Sequence, residues 1–263
     1  MNNPISAFII VKNGEKLIGH TINSIKNIVD EIIVIDSGST DNTVQVAKDL
    51  GANVVFKEWP GYTQQKIFGE SLCKHQWILN LDADEALSPE LQDEINYIFQ
   101  SASQDKYKGY KMHVTILLPN DQKPRLGAPA HLFTRLYNRN YISFANTSDP
   151  NTTHDSALLL PGLKEKDNLL TLVSPVYHRS FTSISGLLTK INFYTDEAAK
   201  TLAKQGRRVS KLRMYTEFFL CFFKYFFIRR YWVFGTYGVI YSYMFAFSRF
   251  IRLAKVYELQ NSK

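Results

Sequence analysis

The sequence predicts an α/β protein: a mixed, mostly parallel sheet with flanking helices, followed by an aromatic, basic helical segment at the C-terminal end. Three observations carry that prediction. Apolar runs of four to seven residues alternate with amphipathic helical patterns through the first hundred residues. Those runs are near-continuous in Val, Ile and Leu, as strands covered on both faces require. Charge and aromatic content then change abruptly in the last quarter of the chain.

Ile5 to Val11 is the first strand, and Leu17, Ile18, Ile22, Ile25 and Ile28 mark one face of the helix after it. Met1-Asn2-Asn3-Pro4 has no basic stretch or small-residue cleavage site and reads as the lead into that strand, not as a signal peptide. Glu31 to Asp36 is the second strand, and Val44, Val46, Ala47 and Leu50 mark a helix that Gly51 ends. Asn53 to Phe56 is a third strand, Gln64 to Cys73 a helix, and Trp77 to Leu81 a fourth strand. Ser88-Pro89-Glu90 opens another helix, with Ser as cap and Pro at the first helical position. Beyond residue 105, Tyr110 to Leu118 and His131 to Tyr137 read as strands joined by a Pro/Gly loop over Pro119 to Pro129. A polar loop over Ser143 to Asp155, a strand reaching His178 and a helix from Ser185 to Lys204 complete this part.

The net charge of +7 is unevenly spread. Lys204 to Lys263 holds twelve Lys/Arg against two Asp/Glu, whereas the preceding 203 residues hold nineteen against twenty-two. The basic segment is also strongly aromatic, a combination that suits an anionic membrane face; nucleic acid is the competing partner and is not expected. Within it, Tyr231 to Ser248 is uncharged for eighteen residues, near the lower limit for a membrane span. Four tyrosines and two glycines make it a poor bilayer interior and a good interfacial surface. A monotopic anchor is the expectation, with a buried helical hairpin as the alternative. The two cysteines, Cys73 and Cys221, have no paired spacing, which leaves a disulfide framework or cysteine-rich zinc site unsupported and fits a reducing compartment.

Two carboxylate clusters stand where the first and second halves of such a sheet bind ligands, beyond strand carboxyl ends. Asp36-Ser37-Gly38-Ser39-Thr40-Asp41 follows the second strand. It reads either as a capped turn or as a nucleotide site in which Asp36 accepts from a uracil imide or a ribose hydroxyl. Asp82-Ala83-Asp84-Glu85 follows the fourth strand. Residues i and i+2 point the same way in extended chain, so Asp82 and Asp84 can converge on Mg²⁺ or Mn²⁺ bridging a diphosphate; a solvated acidic turn is the bland alternative.

The run Glu31 to Thr43 followed by Asp82-Ala83-Asp84-Glu85 resembles glycosyltransferase family 2 with the GT-A fold. Lys12-Asn13-Gly14-Glu15 and Gly61-Tyr62-Thr63-Gln64-Gln65-Lys66 are similar to that family's first-strand and intermediate segments. Within it the chain looks most like the lipopolysaccharide-core β-glucosyltransferases (WaaE/KdtX type). The resemblance implies a UDP-sugar donor contacted by Asn13, Glu15, Asp36, Lys66 and Asp82, and a metal held by Asp82, Asp84 and His178. It places Asp155, in His154-Asp155, as the general base acting on an acceptor hydroxyl. It further implies a catalytic domain over about 1–205, with a nucleotide half to about 105 and an acceptor half beyond it, and a membrane-associating tail over 206–263. The implied activity is inverting transfer of a sugar, glucose as the first choice, to a lipid-linked or lipopolysaccharide-core saccharide at the cytoplasmic face of the inner membrane. A transferase acting on a polyprenyl-linked glycan and a degenerate, non-catalytic binding protein are the alternatives. A nucleotidyltransferase is disfavoured, because no Gly-rich basic loop follows the first strand.

Overall fold

The computed structural model describes residues 3–146, 156–180, 183–206 and 209–261. In chain order the regular elements are β1 (Asn3–Val11), α1 (Ile18–Ile25), β2 (Val29–Asp36), α2 (Thr43–Asp49), β3 (Asn53–Phe56), α3 (Tyr62–Leu72), β4 (Trp77–Asp82), β5 (Glu85–Leu87) and α4 (Pro89–Gln100). They continue with β6 (Gly109–Ile116), β7 (Ala130–Asn138), β8 (Ile142–Ser143), β9 (Leu158–Leu159), α5 (Glu165–Asn168), β10 (Leu169–His178), α6 (Ile184–Lys204), α7 (Lys211–Phe223) and α8 (Thr236–Asn261). Backbone proximity groups them into two compact units. One holds residues up to 115 together with 130–179; the other holds 116–129 and everything from 180 onward. The boundary expected near residue 205 falls inside the second unit.

The first unit is organised by a sheet whose described strands run in the order β3-β2-β1-β4-β7-β6-β10-β5. β3, β2, β1 and β4 are mutually parallel, whereas β7 is antiparallel to both β4 and β6. Strand periodicity divides the core cleanly. Odd positions of β1 (Ile5, Ala7, Ile9, Val11) pack with Ile18, Ile22 and Ile25 of α1 and Leu91, Ile95 and Ile98 of α4. Even positions (Phe8, Ile10) pack on the opposite face with Ile33 and Ile35 of β2, partly buried Ile67 and Phe68 of α3, and Phe144. A strand that must fill both layers has no room for a polar face, which is why β1 is apolar from Ile5 to Val11 apart from Ser6, whose buried hydroxyl is satisfied by Glu31. As expected, Ser88 caps α4: its hydroxyl accepts from the Leu91 N–H at 3.1 Å, with Pro89 at the first turn.

The chain leaves β1 in opposite directions, to β2 on one side and to β4 on the other. At such a switch of strand order open α/β sheets place their ligand crevice beyond the carboxyl ends, and the two strands that flank β1 there end at Asp36 and Asp82.

The second unit is helical. Its core joins Leu187 and Ile191 of α6, Tyr231 and Phe234 of the short turn before α8, and Tyr241 of α8 with Ile116 and Leu118. The Pro/Gly segment 119–129, read from sequence as a simple connection between strands, is therefore part of this unit. Lys255 of α8 pairs with Asp196 of α6 at 2.7 Å, and Arg249 of α8 with Glu217 of α7 at 3.1 Å. Gly238 is needed where α8 meets the turn before it: a Cβ there would lie 1.9 Å from the Tyr231 carbonyl oxygen. Among the described residues no helix is long and apolar enough to cross a membrane.

Candidate active site

The turn after β2 is built around Asp36. Its carboxylate accepts from the backbone N–H groups of Gly38 and Ser39 at 2.9 and 3.0 Å, and Gly38 takes the positive φ of 87° that the turn demands. The loop after β1 is fastened to the same turn. Asn13 N–H donates to Ser39 Oγ, and Asn13 Oδ1 accepts from Thr40 N–H, each at 2.8 Å. Gly14 N–H donates to Thr43 Oγ1 at 2.8 Å, and Glu15 accepts from Asn42 N–H at 3.0 Å. Asn13, Glu15 and Asp36 thus lie together at one rim of the crevice, and their side chains shape its backbone.

The end of β4 holds a buried charge network. Lys66, on α3 and fully buried, places Nζ 2.9 Å from Asp82 Oδ1 and 5.4 Å from the centre of the Phe144 ring. A lysine on a helix would ordinarily reach water; here the Asp82 carboxylate and an aromatic face receive it. Arg135 of β7 binds the other Asp82 oxygen at 2.9 Å, donates to Asn80 Oδ1 at 3.1 Å, and pairs with Glu85. The second Glu85 oxygen accepts from Asp82 N–H at 3.1 Å. Burial alone would raise the Asp82 pKa, but Lys66 and Arg135 outweigh it and hold the carboxyl far below the usual range. Glu85 goes the other way: burial, opposed by Arg135 and reinforced by the Asp82 charge, pushes it up to about 7.

Asp84 occupies the next turn, where antiparallel pairing of β5 with β10 sets Glu85 opposite His178. Arg179 N–H continues the ladder to the Asp84 carbonyl at 2.9 Å, and Asp84 Oδ1 stands 3.4 Å from His178 Nε2. Burial would depress the histidine, yet Asp84, Glu85 and Asp82 together raise its pKa.

These positions refine the expected metal set. The two oxygens of Asp82 pair with Lys66 and Arg135, and a turn at Ala83-Asp84 follows the strand that carries Asp82. Among the described residues, no group of three or more His, Cys, Asp or Glu is placed to hold a metal ion. Asp84 could supply a carboxylate and His178 an imidazole to a divalent cation whose remaining positions phosphate oxygens would complete; Mg²⁺ itself favours the oxygen members of such a set. His154 and Asp155 lie outside the described residues.

Arg135 escaped the sequence reading, although a signal was present. It stands inside a strand of mainly apolar residues, where an arginine is rarely buried without a carboxylate partner. Glu85, read as part of an acidic turn, is that partner.

The family profile described as glycosyl transferase family 2 matches residues 6–158, which include both crevice clusters. A Rickettsia felis protein named as an uncharacterized glycosyltransferase is 55% identical over 97% of this chain and 89% of its own length. The chain belongs to glycosyl transferase family 2. Its sheet order, with the acidic turn after β4, is the GT-A arrangement, and the family makes it a glycosyltransferase enzyme. A lipopolysaccharide core biosynthesis glycosyltransferase, LpsC of Rhizobium meliloti, is a more distant relative, 37% identical over 41% of each chain. Among solved structures, Mycobacterium tuberculosis glucosyl-3-phosphoglycerate synthase with Mg²⁺ and UDP aligns at 23% identity over 46% of this chain and 45% of that one, with a TM-score of 0.34. Staphylococcus aureus TarS with UDP aligns at 12% identity over 100% of this chain and 92% of that one, with a TM-score of 0.43.

Proposed function

We propose that this family 2 enzyme transfers a sugar, glucose as the first choice, from a UDP-sugar to a lipid-linked or lipopolysaccharide-core saccharide, with inversion and with Mg²⁺ or Mn²⁺. The observation that carries the reading is the Asp84–His178 pair, 3.4 Å apart, Asp84 in the turn that follows β4 and His178 at the end of β10, in the same sheet whose strand β2 ends at Asp36. The name of the R. meliloti relative supports the acceptor class.

In this reading the rim formed by Asn13, Glu15 and Asp36 receives the nucleoside. Lys66 and Arg135 fix Asp82 in one rotamer, so that its exposed part meets the ribose side of the donor. Asp84 and His178 face the diphosphate. A divalent cation bound there would neutralise charge gathering on the departing nucleotide. Asp155 takes the proton from the acceptor hydroxyl, whose oxygen attacks the anomeric carbon from the side opposite the leaving group. That assignment rests on the His154-Asp155 resemblance, in which Asp replaces the family's Glu. The basic, aromatic C-terminal segment holds the enzyme at the membrane where such an acceptor resides.

A screen of nucleotide sugars with Mn²⁺, Mg²⁺ or chelator, reading nucleotide diphosphate release, tests the proposal. Selection of UDP-glucose with loss of release in chelator is expected. Release that is indifferent to chelator removes the metal from the reading, and release from no UDP-sugar removes the donor.

A further inference from the structure

The second unit carries an apolar face that its own packing leaves uncovered. The inward side of α7 is settled: Glu217 and Cys221 are buried, and Phe218 and Phe222 lie 6.1 and 4.7 Å from Tyr243 of α8, ring centre to ring centre. On the outward side Leu212, Tyr215, Phe219 and Phe223 recur every three or four residues, at 72, 72, 65 and 57% exposure. The stripe runs on through the π-helical turn Lys224–Ile228, where Phe227 stacks on Phe223 at 5.7 Å and Ile228 is also exposed. Isolated exposed apolar residues are ordinary; a continuous helical stripe of five is not.

Charge says what covers it. Lys211, Arg213, Lys224, Arg229 and Arg230 are exposed along the same segment. From Ala198 to Tyr257 the sequence holds one carboxylate, Glu217, and it is buried between Arg213 and Arg249. An apolar stripe with cations and no exposed acid beside it matches the boundary between acyl chains and anionic headgroups, where rings insert and cations stay with phosphates. With the π turn the helical run Lys211–Ile228 is about 27 Å at most, short of a bilayer core of about 30 Å, and among the described residues no helix is long and apolar enough to span one.

We propose that the outward face of α7, formed by Leu212, Tyr215, Phe219, Phe223 and Phe227, docks the protein in the plane of membranes bearing anionic phospholipids. This deepens the reading of a membrane-held acceptor by naming the surface and the lipid chemistry, and its test requires no sugar transfer.

The full chain and Phe219→Ser/Phe223→Ser are floated with phosphatidylcholine vesicles, with and without phosphatidylglycerol. Both phenylalanines are exposed, so the variant should keep the circular dichroism spectrum and melting temperature of the parent. Tyr97→Ser removes an exposed ring of α4 in the other unit and serves as the control. The parent should bind vesicles containing phosphatidylglycerol, more weakly at high salt, and the double variant should bind at least about tenfold less, with Tyr97→Ser unchanged. Equal binding by parent and double variant overturns the proposal, as does binding that ignores phosphatidylglycerol. Absence of vesicle binding, with a dimer in sedimentation velocity that the double variant dissolves, overturns it in favour of a second copy of the chain. A failed donor screen beside retained vesicle binding would sink the proposed reaction and leave this surface standing.

Discussion

Replacing Arg135 with Met is the sharpest test of the charge network at the end of β4. The side chain is buried and gives its hydrogen bonds to Asn80, Asp82 and Glu85. Met fills similar volume, so the loss is electrostatic and not a cavity. Two carboxylates would remain against Lys66 alone. Removing one partner from a buried, hydrogen-bonded charge group costs about 3–5 kcal/mol, because the groups left behind stay desolvated. At roughly 2–4 °C per kcal/mol for a domain of this size, the first unit should melt on the order of 10 °C lower. Arg135→Lys restores the charge but not the planar fork that spans three acceptors, so it should fall between the two. Differential scanning calorimetry of the three proteins reads the effect, and UDP titration reports whether the crevice keeps its shape. A Met variant melting within about 2 °C of the parent, with unchanged UDP binding, would refute the claim that this guanidinium holds the strand end together.

Three further outcomes are expected. Asp84→Asn keeps shape and should change stability by less than about 1 kcal/mol, while metal-stimulated nucleotide diphosphate release should fall about a hundredfold or more; a fully active, metal-dependent variant would contradict the site. Burial alone would raise the Glu217 pKa, but Arg213 and Arg249 prevail and lower it, so its contribution is present above the ordinary carboxylate pKa and is lost as pH falls below it. Glu217→Gln should accordingly destabilise the second unit by about 1–2 kcal/mol at pH 7 and progressively less below pH 4.5, as urea titrations at the two pH values would reveal. Gly238→Ala should gain about 1 kcal/mol from helix propensity, yet lose more than that, on the order of 2–3 kcal/mol, to the contact with the Tyr231 carbonyl; a raised melting temperature would show that α8 can slide.

The sheet was legible because β1, β2 and β4 must fill two hydrophobic layers, which demands predominantly apolar runs. The positions of Asp36 and Asp82 followed from the same strands, since a strand end is set by where its apolar run stops. His178 meeting Asp84 depends on the register of β5 against β10, a pairing of residues more than ninety positions apart that no local pattern announces. The partners of Asp82 were not legible for a related reason. Its direction is decided by Lys66 and Arg135 from two other elements, and extended-chain alternation ends at Ala83. The membership of segment 116–129 was hidden because its first apolar residues, Ile116 and Leu118, look like the tail of a strand until helices supply the partners.

The seam between Asn13–Glu15 and Ser39–Thr43 has a bearing on how tightly a small molecule could be held. Side chains of each loop there satisfy backbone groups of the other, so the rim of the crevice reaches its shape as the chain folds. A nucleotide arriving at such a rim has little chain entropy to quench, and more of its contact energy survives as affinity. Loosening the seam by Ser39→Ala, which removes the acceptor of the Asn13 N–H, would transfer that ordering from folding to binding, weakening association chiefly through an unfavourable entropy in calorimetry while leaving Asn13, Glu15 and Asp36 in place.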